Sequence, residues 1–448
     1  MATAVPGPQT TRLRSLGAAA GGSATRREVP AGAPCPETFH LNPDRTCVVR
    51  VVTLRSGLSH STTFPLVQAL RRRTPSAAQL AALADVAFLR SQDRPDCDTS
   101  GNVVRIADLF SGCGAMSLGA WEACRAIGRS LQVVLAIDNS EHALDIYAQN
   151  FPGSRTRPMD ATLLLNSPLG AEPSPREAAL VQEVGPVDLV LAGPPCQGHS
   201  DLNNHSRRND PKNGLYDRVA RFAELIGPKH VVIENVPAAL HDRGRVVEKT
   251  ARHLRQCGYH LDDAVVEVSR LGVAQKRRRH ILVASLERNL SVSDCLSTYL
   301  RQAPPVSSVI QDLQNIVPVR AFDKAASIGA ENLKRIEHLF RFDLYDLPDS
   351  LRPDCHRLKK HTYTSVYGRM SWDQPAQTIT SGFTCMGQGR FVHPKRKRTL
   401  TPHEAARLQF LPDFFRFDED LPRTALCEMI ANAVPPKLTY LLALELLR

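Results

Sequence analysis

From residue 103 onward, short apolar runs alternate with stretches whose apolar positions recur at helical spacing. VRIADLF (104–110), LQVVLAID (131–138), VDLVLAG (187–193) and HVVIENV (230–236) read as strands buried on both faces. A helical pattern runs to about Ile127, a second covers SEHALDIYAQNF, and a third precedes His230. Strand and helix in alternation predict a parallel sheet covered on both faces, a doubly wound α/β fold. Segments 259–268 and 279–285 add two strands expected to form a hairpin. From 286 to about 395 the periodicity weakens and Pro, Ser and Gly intervene, which predicts a smaller, irregular region. TPHEAARLQFL (401–411) then opens a helix: Thr401 caps it, Pro402 occupies its first turn and Glu404 completes a capping box. PPKLTYLLALELLR forms a last helix.

Before residue 103 the pattern differs. CVVRVVTL (47–54) reads as a strand and SAAQLAALADVAFLRS (76–91) as a helix, without an assignable role. Residues 1–36 are poor in apolar side chains and lack acids until Glu28; a disordered basic tail is preferred to a transit peptide. The chain is expected to divide into an N-terminal extension (1–100), a catalytic region (101–290, completed by 420–448) and an irregular region (291–400).

Composition narrows the partners. A net charge of +11 and a pI near 9.3 suit a polyanion. No apolar run is long enough to span a bilayer. Eleven cysteines, an odd number without a C-x-x-C pair, argue for a reducing compartment and free thiols, and no metal site is expected.

The chemistry gathers at strand ends. DLFSGCG puts Gly112 and Gly114 at a tight turn after the first strand, and Asp138 ends the next strand where such folds hold a ribose. Glycine turns of this kind also serve purely structural ends; the nucleoside cofactor is the preferred reading. Cys196, in AGPPCQGHS, sits in a loop stiffened by Pro194 and Pro195, and Glu234 ends the next strand. A buried structural cysteine and a helix-capping carboxylate are the plain alternatives. Parallel strands bring their carboxyl ends to one rim, so thiol, acid and cofactor converge there. In VAQKRRRHILVAS, Gln275, Arg277 and Arg279 alternate along an expected strand and share one face, able to clamp phosphates or a base edge; a solvated basic edge is the alternative, as it is for HPKRKR (393–398).

DLFSGCG, PPCQG, ENV, QKRRR, the Thr-Ile-Thr stretch at 378–380, RLQFLPDFF and ANAVPP, in that order from Val104 to the C-terminus, resemble the DNA cytosine-5 methyltransferases, chiefly the bacterial ones. The resemblance implies a Rossmann-like methyltransferase sheet with a smaller target-recognition domain in 291–400. It implies S-adenosyl-L-methionine as methyl donor, without a metal, and a flipped cytosine of duplex DNA as substrate. By that likeness Cys196 is the nucleophile and Glu234 the acid on the base, with Arg277 and Arg279 in the catalytic set. Phe110, Gly112, Gly114, Asp138, Asp160, Leu215, Asn432 and Val434 line the donor site, and Gln197, Ser200 and Gln275 contact DNA. Ala115 and Ala431 stand where glycine is usual, Asp138 where glutamate is, His199 and Leu411 where phenylalanine is; none of these removes a catalytic group. The expected protein is a monomer of the cytoplasm, at the nucleoid, beside a cognate restriction endonuclease or without one. A tRNA cytosine-5 methyltransferase and an inactive nucleic-acid-binding homologue are the alternatives, which methyl transfer to duplex DNA against tRNA would separate.

Overall fold

The computed structural model describes residues 35–69, 75–97, 102–195, 215–242, 244–358, 365–418 and 420–448. The tail read in 1–36 lies outside them up to residue 34, as do Cys196, Gln197, His199 and Ser200. In chain order the elements begin with β1 (Glu37–Leu41), β2 (Cys47–Thr53), β3 (Ser59–Pro65) and α1 (Ala77–Arg90). Then come β4 (Val103–Leu109), α2 (Ala115–Ala126), β5 (Ser130–Asp138), α3 (Glu141–Asn150), β6 (Thr156–Pro158), α4 (Ala161–Leu164), α5 (Pro175–Val184) and β7 (Leu189–Ala192). They continue with α6 (Leu215–Ile226), β8 (His230–Asn235), α7 (Val246–Gln256), β9 (His260–Glu267), β10 (Gln275–Lys276) and β11 (Arg278–Ser285). The irregular region holds α8 (Val292–Ser297), α9 (Val306–Ile310), α10 (Ala330–Arg341), α11 (Asp354–Arg357) and β12 (Ala376–Gln377); α12 (Pro402–Leu408), α13 (Arg423–Asn432) and α14 (Pro436–Leu447) end the chain.

The seven-stranded sheet has the order β6-β5-β4-β7-β8-β11-β9. Every neighbouring pair from β6 to β8 is parallel, while β11 runs antiparallel to both β8 and β9. The expected α/β fold and the antiparallel pairing of the last two strands are therefore present. Alternation splits the central strands between two cores: Ile106, Leu189, Leu191 and Val232 face one, Ala107, Val190, Ala192, Val231 and Ile233 the other. Strand order reverses between β4 and β7, and doubly wound sheets bind ligands outside the carboxyl ends at such a point.

The C-terminal helix closes the first core. A Cβ at Gly119 of α2 would stand 2.3 Å from the carbonyl oxygen of Pro436, so only glycine lets α14 lie this close. The extension shares that core. β1, β2 and β3 form an antiparallel sheet with β2 central, and Val48, Val52 and Phe64 pack with Leu80 and Phe88 of α1 and with Trp121, Phe410 and Phe414. Arg50, almost wholly buried, ties this sheet to α2 and α14 through Glu122 (2.8 Å) and the Tyr440 hydroxyl (3.1 Å). Burial pushes the Glu122 carboxyl up, yet Arg125 and Arg50 outweigh it and hold it below its ordinary range. No division of the core falls at residue 100.

The irregular region has a small core of its own: Ile336, Leu339, Leu347, Val366, Tyr367, Met386 and Val392. Among the described residues its one long helix is α10, which sets Leu333, Ile336, Leu339 and Phe340 at helical spacing and buries Ile336 and Leu339 in this core. Among the described residues no helix is long and apolar enough to cross a membrane.

Candidate active site

Four strand ends build the site. After β4 the chain turns sharply: Phe110, Gly112 and Gly114 all take positive φ (59°, 51° and 94°). Gly114 must be glycine twice over, because a Cβ there would also meet the rings of Phe151 and Tyr147 at 2.8 and 2.9 Å. It begins α2 without a side-chain cap, so backbone donors at this helix N-terminus remain for a ligand. At Gly112 an added Cβ would meet nothing within 4 Å; the turn borders open space. Asp138, at the end of β5, braces the turn. One of its carboxylate oxygens accepts from the Gly112 amide (2.8 Å), the other from the Ser140 amide (2.9 Å).

Beneath the turn lies a group that the sequence reading passed over. Asp108 is buried; its Oδ2 accepts from the Ser117 hydroxyl (2.6 Å), which also meets the Tyr147 hydroxyl (2.6 Å). Its Oδ1 is buried without a hydrogen-bond partner. Burial above all, with the Asp138 charge adding, raises this carboxyl to about 8, against the lowering by Ser117 and Tyr147.

The chain after β7 leads towards Cys196. Gly193 donates to the Leu109 carbonyl (3.2 Å), and the Asn235 side chain donates to the carbonyl of Pro194 (3.1 Å) in a buried bond. Asn235 thus fastens the segment before the cysteine to the end of β8, next to Glu234. A Cβ on Gly193 would stand 3.9 Å from each of Glu234 Oε2, Met116 Sδ and the Phe110 carbonyl oxygen. Glu234, the glycine turn and the proline segment therefore do share one rim.

Glu234 is buried, and Arg279 Nε lies 2.5 Å from its Oε1 as an ion pair rather than an aligned hydrogen bond. Arg279 Nη1 also donates to the Arg278 carbonyl (2.7 Å). The expected single strand face of Gln275, Arg277 and Arg279 does not exist. β10 stops at Lys276 to pair in parallel with β12, and β11 begins at Arg278. Arg277 falls between them, buried, and donates to the Ile379 carbonyl (3.2 Å). Gln275 has no exposed surface. Its amide donates to Leu408 O (3.1 Å) and Gln409 Oε1 (2.8 Å) and accepts from Ile379 N (2.9 Å). The expectation that Gln275 touches DNA is corrected: its polar atoms are spent inside the protein. In HPKRKR, His393 is buried and accepts from the amides of Lys395 and Arg396 (both 3.0 Å), while Arg398 grips Glu404 twice at 2.7 Å.

The other donor-site candidates are more scattered. Asp160 is exposed and caps α4 through the Thr162 amide (2.8 Å). Leu215 opens α6, Asn432 ends α13 exposed, and Val434 is buried. The wall carrying these last two is held by Gln409, whose Nε2 reaches the carbonyls of Ile430 (2.7 Å), Ala431 (3.0 Å) and Ala433 (3.3 Å). Gln409 had a signal in the sequence: an uncharged polar residue amid the apolar LQFL run, where a buried amide needs partners. Asn235 had none beyond adjacency to Glu234. Among the described residues no three His, Cys, Asp or Glu side chains meet as a metal would require.

Residues 104–448 match the family model described as C-5 cytosine-specific DNA methylase. The chain is 46% identical over 412 residues to the Type II methyltransferase M1.BsuMI of Bacillus subtilis (strain 168), covering 92% of this chain and 95% of that protein. It is 28% identical over 357 residues to the Type II methylase M.HgiDII of Herpetosiphon aurantiacus, covering 77% and 95%. Among solved structures, the Dnmt2 methyltransferase of S. pombe superimposes with a TM-score of 0.54 at 17% identity, over 77% of this chain and 98% of that one. A prophage-encoded DNA modification methyltransferase from E. coli gives 0.53 at 21%, over 76% and 97%. At these identities the two structures speak for the fold.

Proposed function

The chain belongs to the C-5 cytosine-specific DNA methylases, enzymes that methylate DNA rather than tRNA, and from that premise we propose how its residues carry the reaction. The methyl donor is S-adenosyl-L-methionine, which when bound supplies a methyl group on a positively charged sulfur. The observation that supports it is the turn at the switch point: three positive-φ residues, an uncapped helix N-terminus suited to a carboxylate, and open space at Gly112. Phe110, Gly112 and Gly114 cradle the donor. Asp138 shapes that cradle and keeps lone pairs for ribose hydroxyls. Asp160, Leu215, Asn432 and Val434 complete the pocket.

Cys196 is the nucleophile. Its thiolate adds to carbon 6 of a cytosine turned out of the duplex and makes carbon 5 electron-rich enough to accept a methyl group. A free cysteine is only a few per cent thiolate at neutral pH, so its aim matters. The Asn235 bond to Pro194 supplies that aim from the strand that carries Glu234. Glu234 binds ring nitrogen 3 and draws electrons from carbon 6, and Arg279 fixes it from behind. A base then takes the carbon-5 proton, the electron pair restores the double bond, and the thiolate leaves. Arg277 holds the recognition region through Ile379; Gln197 and Ser200 contact DNA. We extend the proposal to a monomer acting at the nucleoid. A cognate restriction endonuclease beside it is supported by the Type II names of its relatives.

The test is a duplex with 5-fluorocytosine at the target, found by bisulfite sequencing of host DNA with and without the gene. Fluorine cannot leave as a proton does, so a covalent protein–DNA adduct accumulates only with S-adenosylmethionine, and tryptic mass spectrometry maps it to Cys196. An adduct on Cys113, or one formed equally by Cys196→Ser, sinks the assignment.

A further inference from the structure

Gln275 and Gln409 meet end to end at the seam between the catalytic sheet and the irregular region, and neither side chain has any exposed surface. Their orientation is fixed by partner type. Gln409 Nε2 faces three carbonyl oxygens, and two amide hydrogens must serve all three. Gln409 Oε1 accepts from Gln275 Nε2, and Gln275 Oε1 accepts from the Ile379 amide. One unbroken line of hydrogen bonds therefore runs from Ile379, through both amides, to the backbone of 430–433. At one end, the Ile379 carbonyl also takes Arg277, and the Thr378 hydroxyl donates to the Lys276 carbonyl (2.9 Å). At the other stand Asn432 and Val434.

In a site closed to water, a bond broken by movement of either end finds no substitute. The two ends must move together or stay together. We propose that Gln409 and Gln275 are a positioning pair that couples occupancy of the donor pocket to engagement of the target DNA. This rests on Asn432 and Val434 belonging to the donor pocket and on 291–400 being the recognition region. A ligand that settles the 430–433 wall then also settles Ile379 and Arg277. Linkage requires the reverse effect to have the same size.

The experiment titrates S-adenosylhomocysteine into the full chain with and without a duplex carrying the methylated site, and titrates the duplex with and without the analogue. In the wild type each ligand should tighten the other by the same factor, about five-fold or more. In Gln409→Leu and in Gln275→Leu that factor should fall below about two-fold, and the double variant should fall no further than the singles, because one line is cut in each. Should a leucine variant fail to fold, Gln409→Glu, which keeps the acceptor for Gln275 but loses the donors to the wall, is read in the same way. Folded variants that keep the wild-type factor, whatever their melting temperatures, overturn the proposal and leave the pair a structural joint. A wild type without coupling overturns it too. A wild type that does not bind the analogue at all instead removes the donor reading on which the proposal stands.

Discussion

Replacing Asp108 by Asn should make the protein more stable at pH 8 than the wild type, and by less as the pH falls. The carboxyl is buried, bonded to Ser117 on one side and unpartnered on the other, with a folded-state pKa near 8 against an ordinary 3.8. A raised acid binds its proton more tightly in the folded chain. Its contribution to stability is fully present below the unfolded pKa and is lost as pH rises through the folded one. Between roughly pH 4 and 8 the wild type should lose about 1.4 kcal/mol per pH unit through this group. From pH 5 to pH 8 that amounts to about 4 kcal/mol, the slope flattening near pH 8 as the folded-state carboxyl itself ionises. Asn has the size of the protonated acid and does not titrate, so the variant lacks this slope. Urea unfolding of both proteins at pH 5, 6, 7 and 8 measures it: the difference should shift toward the variant by about 4 kcal/mol across the series. A difference that stays constant with pH refutes the reasoning and means that Asp108 is ionised in the folded protein.

Asn235→Ala leaves the Pro194 carbonyl without its buried donor and loosens the segment before Cys196 while Glu234 and Arg279 keep their pairing. Single-turnover methyl transfer should slow about ten- to a hundred-fold with analogue affinity within about three-fold of wild type; equal losses in both would mean that the bond serves the donor site. Phe410 holds a φ of 67°, a region costly to side chains, because its ring stacks on Phe88 of α1 at 6.0 Å. Truncating it to Ala should cost about 3–5 kcal/mol in unfolding experiments. Phe410→Gly should be the more stable of the two by about 1 kcal/mol, the reverse of the usual order, and a more stable alanine variant removes the strain argument.

The sheet could be read from the sequence because its strands are apolar runs with sharp ends, and the capped helix at 402–408 because Thr401 and Glu404 satisfy each other locally. Order along the chain also brought Glu234, Asp138 and the glycine turn to one rim, since parallel strands leave few other arrangements. What the sequence concealed depends on contacts between distant segments. Asn235 and Pro194 stand 41 positions apart, and their bond exists only because β7 and β8 are neighbours in register. The QKRRR run misleads for a similar reason. Its pairing partner is Ala376–Gln377, a hundred residues further on, and that pairing breaks the strand and turns Gln275 inward. The helix of 330–341 does carry a helical signal, Leu333, Ile336, Leu339 and Phe340 at i, i+3, i+6 and i+7, but it stands alone among the Pro-, Ser- and Gly-interrupted segments around it.

The extension resisted a reading because its purpose lies in what it covers. Its helix ends where the Leu89 carbonyl accepts from the Asp413 amide (2.9 Å), and Gln92 donates to the Asp413 carboxylate (2.8 Å). Asp413 in turn meets His403 at 2.9 Å, and His403 and Arg407 together hold its carboxyl down at about 2 although burial pushes it up. Phe410 lies between this knot and Gln409, so the packing of Phe88 that secures Phe410 also secures the glutamine that holds the 430–433 wall. Arg90 reaches the irregular region as well, through Asp312 at 3.0 Å. The alignment with M1.BsuMI, 412 residues long, cannot fit within 104–448 and so runs into the extension, which that relative therefore shares in part. On these contacts the described part of the extension, residues 35–69 and 75–97, acts as a brace on the turn that joins the catalytic sheet, the 430–433 backbone and the irregular region. A chain trimmed to residue 102 would expose Phe410, Phe414 and Trp121 and leave Glu122 without Arg50, so its loss should be one of folding before it is one of activity.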